Sequence, residues 1–189
     1  MSKAVLISIR PKWCQLIAIR EKTVEIRKTR PKLETPLRVY IYATKAAKYE
    51  PFSLCVQKSY DSACGKAYRY SGGGEVIGEF ICDNIVNPFQ DSGFWVHDNI
   101  VNESCISPDE IRTYANGRKL YAWHISNLKI YTKALPLSMF YKKCRGLNDE
   151  GLCWECGKAV GEEHDCAVNG RLHITRPPQS WCYVEELEE

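Results

Sequence analysis

The apolar positions near the N-terminus predict a strand followed by a helix. Residues 4–9, AVLISI, form a short apolar run rich in β-branched side chains, which is typical of a buried strand. Proline favours the first turn of a helix, and Pro11 is followed by residues at helical spacing: Trp13, Leu16, Ile17 and Arg20. We therefore expect a helix that begins at Pro11 directly after the first strand.

The next segment, AIREKTVEIRKTRP at residues 18–31, alternates with a period of two and predicts a second strand. Val24 and Ile26 face one side of that strand. A row of polar side chains faces the other side: Thr23, Glu25, Arg27 and Thr29. This polar row is either a solvated surface or one wall of a site.

The rest of the chain continues with short elements. Residues 46–74 lack a regular period and are expected to be irregular. A helix is predicted over 107–117, since Ser107 and Glu110 form a capping box around Pro108. Gly78 indicates a bulge in the strand that contains it. The remaining strands are predicted at 37–45, 75–86, 120–131 and within 176–187.

These elements predict a mainly β fold of the α+β class. Short strands with few helices and no regular βαβ alternation are typical of a small mixed barrel or an open sheet. The 189 residues are enough for one well-packed domain with an accessory lobe. No apolar run approaches the roughly 20 residues that a membrane span needs. The N-terminus lacks the pattern of a signal peptide, so a cytoplasmic protein is expected.

Charge is distributed unevenly along the chain. Residues 1–60 contain thirteen Lys or Arg against four Glu, whereas the whole chain has a net charge of only +3. A basic half with interspersed aromatic residues such as Trp13 suits a polyanion like nucleic acid. An ordinary solvated face in a domain of uneven charge is the alternative.

The cysteines of the C-terminal part suggest a metal site. Cys153 and Cys156 form a CxxC pair, a spacing that lets both thiolates bind one ion. In a reducing compartment, clustered cysteines indicate metal ligands more often than disulfides. We predict a structural zinc site, with His164 as a possible substitute for an outer cysteine. Its ligands are Cys144, Cys153, Cys156 and Cys166.

The N-terminal strand, the proline-led helix and REKTVEIRKTRP together resemble the ASCH domain, a family of small PUA-like β-barrels. The family motif has a glycine, then Lys, Glu and Arg. Lys22, Glu25 and Arg27 match it here, although Arg20 stands in place of the glycine. The ending RPPQSWCYVEEL is similar to that of ASCH proteins common in phages and gut bacteria. The resemblance implies a barrel of residues 1–135 and 174–189, with a zinc-binding insertion at 140–170.

The resemblance implies work on RNA, because PUA-like barrels bind RNA. Some small ASCH proteins are also similar to an amidohydrolase that removes the acetyl group of N4-acetylcytidine. In those hydrolases a catalytic threonine follows the motif lysine by three positions. Glu25 occupies that place here, and a carboxylate does not replace a hydroxyl nucleophile without a change of mechanism.

We therefore expect a cleft that binds RNA or a modified nucleotide. Glu25 and Arg27 share a strand face and can pair, so that Glu25 orients the guanidinium, while Lys22 would add a charge at the mouth. Three alternatives stay open: a structural salt bridge, an amidohydrolase with Lys22 and Glu25 as its catalytic residues, and a protein-interaction module that uses the zinc lobe. The predicted ligand-binding residues are Arg10, Lys12, Trp13, Lys22, Thr23, Glu25, Arg27 and Trp123.

Overall fold

The architecture is taken from a computed structural model of the 189-residue chain. It describes residues 2–45, 52–55, 67–70, 73–91, 93, 95–143, 146, 148–154, 157 and 171–187. The helices in this part of the chain are α1 (Pro11–Ala18), α2 (Asp98–Ser104) and α3 (Pro108–Ala115). The strands are β1 (Lys3–Ile9), β2 (Val24–Arg27), β3 (Leu37–Ala43), β4 (Phe52–Cys55), β5 (Ala67–Tyr70), β6 (Glu75–Cys82), β7 (Ile85–Val86), β8 (Tyr121–His124), β9 (Ser126–Leu135), β10 (Tyr141–Lys143), β11 (Arg171–His173) and β12 (Trp181–Glu185).

The main sheet has five strands in the order β12-β1-β3-β6-β9, and a second sheet has the order β2-β8-β7. Within the main sheet β1 and β3 are parallel, whereas the other neighbours are antiparallel. One face of the main sheet packs against α1 and against Trp123 of the second sheet. The opposite face covers a smaller core that includes Tyr40, Phe140 and Val184.

Strand β2 is covered on both faces, and this decides the environment of its polar row. Val24 and Ile26 pack with Ile100 of α2 and Ile111 of α3. Glu25 lies opposite Trp123 in the ladder and so shares its face, which is turned toward the main sheet. All four residues of β2 are buried. Glu25 and Arg27 of the polar row are therefore withdrawn from solvent, whereas Thr23 is half-buried and Thr29, beyond the end of β2, is exposed.

The described strands do not close into a barrel. The expected mainly β fold is present, but the expectation of a closed PUA-like β-barrel is wrong. The predicted strand 75–86 is divided, with β6 in the main sheet and β7 in the second. The predicted strand 120–131 is divided at Ile125 in the same way, between β8 and β9. At both points the chain passes from one open sheet to the other, whereas in a closed barrel the strand would stay in one continuous sheet.

Helix α3 follows its sequence signals closely. The Ser107 hydroxyl oxygen accepts a hydrogen bond from the Glu110 backbone N–H, and the Glu110 carboxylate accepts one from the Ser107 N–H at 3.0 Å. Pro108 stands at the start of the helix, as predicted. Helix α2 was missed, and the residue that precedes it, His97 at the N-cap position, makes no side-chain capping bond that could have marked the helix.

Two further predictions concern single segments. The bulge at Gly78 is confirmed, since the β3–β6 register shifts between Ile41 and Tyr42, and a Cβ on Gly78 would lie 2.5 Å from the Lys129 carbonyl oxygen. The segment 46–74, expected to be irregular, contains the antiparallel pair β4–β5 in its described part. The division into barrel and insertion stays a prediction. None of the described helices is both long and apolar enough to cross a bilayer.

Candidate functional site

A cleft of about 450 Å³ opens between β2, helices α1 and α3, and the C-terminal ends of β1 and β3. The packing of β2 on both faces decides where the cleft lies. The strand face that carries Glu25 and Arg27 is turned inward, next to the N-terminus of α1. The lining residues are Ser8, Arg10, Trp13, Glu25, Ile26, Arg27, Thr44, Ile106, Glu110, Ile111, Tyr114 and Gln179.

Glu25 lies between two cations. Its Oε1 is 3.1 Å from Arg27 Nη2, and its Oε2 is 3.3 Å from Lys22 Nζ. The side chains of Lys22, Glu25 and Arg27 are 0%, 9% and 11% exposed, so all three charges are withdrawn from water. The pairing of Glu25 with Arg27 that the strand period predicts is confirmed, and the ion pair is buried within the cleft wall.

Arg27 is held in place by the strand beside it. Its Nη2 donates a hydrogen bond of 2.6 Å to the backbone carbonyl of Ser8, in addition to its ion pair with Glu25. Its Nε is buried and has no hydrogen-bond partner among the described residues. A buried donor without a partner is a cost that natural proteins rarely keep without a functional reason. Trp123 Nε1, outside the cleft lining, is another buried donor without a partner among the described residues, so this feature is not confined to the cleft.

Lys22 does not lie at the mouth of the cleft, and that part of the prediction is wrong. Its Nζ donates a hydrogen bond of 2.7 Å to the carbonyl of Ser104, the last residue of α2, and lies 5.1 Å from the centre of the Trp13 ring. A cation at the C-terminus of a helix is favourably placed for the helix dipole. Lys22 therefore links α2 to Glu25 from behind the cleft wall.

The other predicted ligand-binding residues separate into two groups. Trp13 and Arg10 line the cleft, and the exposed Lys12 lies over the Trp13 ring at 4.6 Å. Trp123 is fully buried, packs against Trp181 at 5.9 Å between ring centres and does not line the cleft, so the structure does not bring it together with the other predicted ligand contacts. The backbone of Thr23 forms hydrogen bonds with Glu103 and Ile125, and Thr23 does not line the cleft.

Several lining residues were missed by sequence reasoning. Glu110, Ile111 and Tyr114 share one face of α3, as their spacing allows, and Tyr114 is 41% exposed. Nothing in the local sequence shows that this face meets β2. Glu110 also changes the electrostatics, because the charged lining residues are Arg10 and Arg27 against Glu25 and Glu110. The interior of the cleft is therefore balanced in charge, and not basic as expected.

The thiol of Cys14 is not available as a nucleophile to this cleft. Cys14 lies behind the wall, fully buried, and burial together with the negative charge of Glu25 raises the pKa of its thiol. A protonated thiol is a poor nucleophile. His124 bonds Asp83 at 2.6 Å and lies outside the cleft lining, so it offers no acid–base group there.

The predicted metal site falls mostly outside the described part of the chain. Cys153 is buried next to the exposed Trp154, whereas four of the proposed ligands lie outside the described residues: Cys144, Cys156, Cys166 and the alternative His164. Among the residues that are described, no cluster of three or more His, Cys, Asp or Glu side chains is arranged to hold a metal ion.

Comparison with known proteins identifies the fold. No family model and no curated protein matches the sequence. Solved structures of an ASCH protein from Zymomonas mobilis are similar: the protein itself has a TM-score of 0.52 and 17% identity, over 97% of this chain and 88% of that chain. Its tyrosine-to-phenylalanine mutant has a TM-score of 0.56 and 18% identity over 98% and 92% of the two chains. Its serine-to-alanine mutant gives 0.55 and 17% over 97% and 89%. The chain therefore has an ASCH-like fold.

Proposed function

We propose that this chain is an ASCH protein that binds RNA by taking one nucleotide into the cleft at Glu25 and Arg27. The observation that carries the proposal is the buried Glu25–Arg27 pair, with the orphaned Arg27 Nε, in a cleft of about 450 Å³ beside Trp13. Pockets of this size hold small organic ligands or a single nucleotide of a longer chain.

The chemistry of the lining suits a nucleobase. A carboxylate accepts hydrogen bonds from base amino groups, an arginine donates to base carbonyl and ring nitrogen acceptors, and Trp13 adds an aromatic surface to the lining. Because the lining charges balance, the cleft interior favours a neutral polar ring over a phosphate. The RNA strand would leave its phosphates at the cleft rim.

Binding is tested by titration of single-stranded and structured RNA at low and high salt with wild type and Arg27→Lys. The lysine keeps the charge but removes Nε and the fork, so we expect affinity to fall about tenfold, within the range for a bidentate base contact. Arg38→Lys is the matched control, since Arg38 also pairs with a glutamate but lies outside the cleft lining.

Equal losses in the two variants would show that Arg27 acts through stability alone. Absence of RNA and nucleoside binding at low salt would remove the proposal.

An amidohydrolase acting on acylated nucleosides is the second candidate, favoured by the carboxylate of Glu25 in the cleft wall. Glu25 would act as the general base for a water molecule. Lys22, fully buried and bonded to Ser104, does not reach a ligand in this arrangement. Incubation with N4-acetylcytidine is expected to release cytidine in the wild type and not in Glu25→Gln if this candidate is correct. No cytidine from the wild type would exclude this substrate.

We also propose a structural zinc ion on Cys144, Cys153, Cys156 and Cys166, with His164 as the substitute for an outer cysteine. The burial of the Cys153 thiol suits a ligand of a closed structural site. A reducing cytoplasm would keep these thiols available. Protein purified without chelator should hold about one zinc per chain, as a closed four-ligand site implies, and Cys156→Ser should lose both metal and stability. Less than about half an equivalent, with no loss of stability in the variant, would contradict a zinc site.

A further inference from the structure

Two exposed lysines stand over the two aromatic residues that line the cleft. Lys12 Nζ is 4.6 Å from the centre of the Trp13 ring, and Lys28 Nζ is 4.7 Å from the centre of the Tyr114 ring. Both lysines are exposed, and neither forms a salt bridge with any described residue. Each ammonium group is therefore positioned by a ring and open to an external anion.

The two lysines stand at different walls of the cleft. Lys28 approaches Tyr114, in the last turn of α3, whereas Lys12 approaches Trp13, on α1. Trp13 and Tyr114 both line the cleft, so each of these two walls carries one exposed cation.

We propose that Lys12 and Lys28 bind the two phosphates that flank the nucleotide held in the cleft, so that the ligand is an internal nucleotide of a single strand. This inference rests on the proposed function. It divides the ligand between two environments: the base enters the neutral interior, and the strand passes over the two lysines at the rim. Cation–phosphate contacts at the rim add affinity without reading sequence.

The test uses ligands that add one phosphate at a time: the common ribonucleosides, their 5′-monophosphates and their 3′,5′-bisphosphates, titrated at two salt concentrations. Each phosphate is expected to tighten binding about two- to fivefold at low salt, as an exposed ion pair does. The logarithmic salt slope should steepen by roughly 0.7 per phosphate. Inorganic phosphate at equal ionic strength is expected not to displace the bisphosphate.

Lys12→Gln and Lys28→Gln should each remove the gain from one phosphate, measured as the ratio of bisphosphate to nucleoside affinity within each variant. Lys129→Gln is the matched control, because Lys129 is an exposed lysine placed over a tyrosine, at 6.0 Å from Tyr131, outside the cleft lining. It should bind like the wild type.

Different outcomes separate the two levels of inference. Equal, salt-independent binding of nucleoside and bisphosphate would overturn the role of the rim and leave the nucleotide cleft intact. Unchanged bisphosphate binding in both lysine variants, or displacement by inorganic phosphate, would also overturn the inference. No binding of any ligand would remove the cleft function together with it.

Discussion

Two glutamates of this protein are each paired with an arginine and a lysine, yet their surroundings differ. Glu25 lies in the cleft wall, where its partners Lys22 and Arg27 are 0% and 11% exposed. Glu79 lies in a groove of about 410 Å³ over another part of the main sheet. Its partners Arg38, at 2.8 Å, and Lys129, at 3.9 Å, are 28% and 67% exposed, and Tyr131 donates a further hydrogen bond of 2.8 Å.

The difference shows that the exposure of the cations decides the energetic weight of each cluster. In the groove around Glu79, water can solvate Lys129 and part of Arg38 if the carboxylate is lost. In the cleft wall, loss of the carboxylate leaves cations that water reaches poorly. Removing one member of a buried ion pair costs far more than removing one member of an exposed pair. The cleft cluster therefore has a structural role beside the proposed binding role, and variants must be chosen to separate them.

The largest effect is expected for Glu25→Gln. This change keeps the shape of the side chain but leaves Lys22 and Arg27 without their counter-charge, so stability should fall by about 3–5 kcal/mol. Urea denaturation measures it, with Glu79→Gln as the paired variant, for which we expect about 1–2 kcal/mol. Equal losses in the two variants would refute the distinction between the clusters.

High pH should act on the Glu79 cluster. Burial and the hydrogen bond to Glu79 raise the pKa of Tyr131 above its ordinary value of 10.0. Below pH 10 the hydroxyl is protonated in folded and unfolded chains alike. Above it the unfolded chain releases the proton first, so stability should fall by up to about 1.4 kcal/mol per pH unit. Tyr131→Phe should flatten this decline in urea midpoints measured between pH 9 and 11. An unchanged slope would show that Tyr131 ionises freely in the fold.

Loss of the capping box of α3, the helix that lines one side of the cleft, should lower the stability of the protein moderately. Ser107→Ala removes the acceptor for the Glu110 N–H and is expected to cost about 1 kcal/mol. Thermal unfolding measures the loss. Ser107→Asp, which retains a capping acceptor, should recover most of it, and a failure of that rescue would indicate that the hydroxyl acts by another route.

The smallest effect is expected for Lys129→Gln. Its ammonium group is 3.9 Å from Glu79 and its side chain is 67% exposed, so the loss of stability should stay within about 0.5 kcal/mol.

Lys22→Gln, at a fully buried lysine, should lower the stability several times more because Ser104 and Glu25 both lose their cation. Similar stabilities of the two variants would show that burial does not separate the two lysines.

Local features of the fold were accessible from sequence alone. The start of α1 at Pro11 and the capping box of α3 depend on residues within one helical turn, and the structure confirms both. Division of the strands at Ile125 and after Cys82 was not predicted, because continuous apolar alternation does not show which sheet a residue joins. Helix α2 was missed for a related reason, since it lacks a side-chain cap and owes its buried face to contacts with β2.

The sequence by itself determined that Glu25 and Arg27 share one strand face and can pair, because a strand repeats every two residues. Only the tertiary structure decided that this face is buried, that Lys22 lies behind it and that Tyr114 completes the cleft. The hydrogen bond from Lys22 to Ser104 joins residues that are 82 positions apart in the sequence, and α3 and β2 are separated by a similar number of residues. Such contacts depend on how distant elements pack, and the packing encloses two members of the alternating polar row, Glu25 and Arg27, together with Lys22.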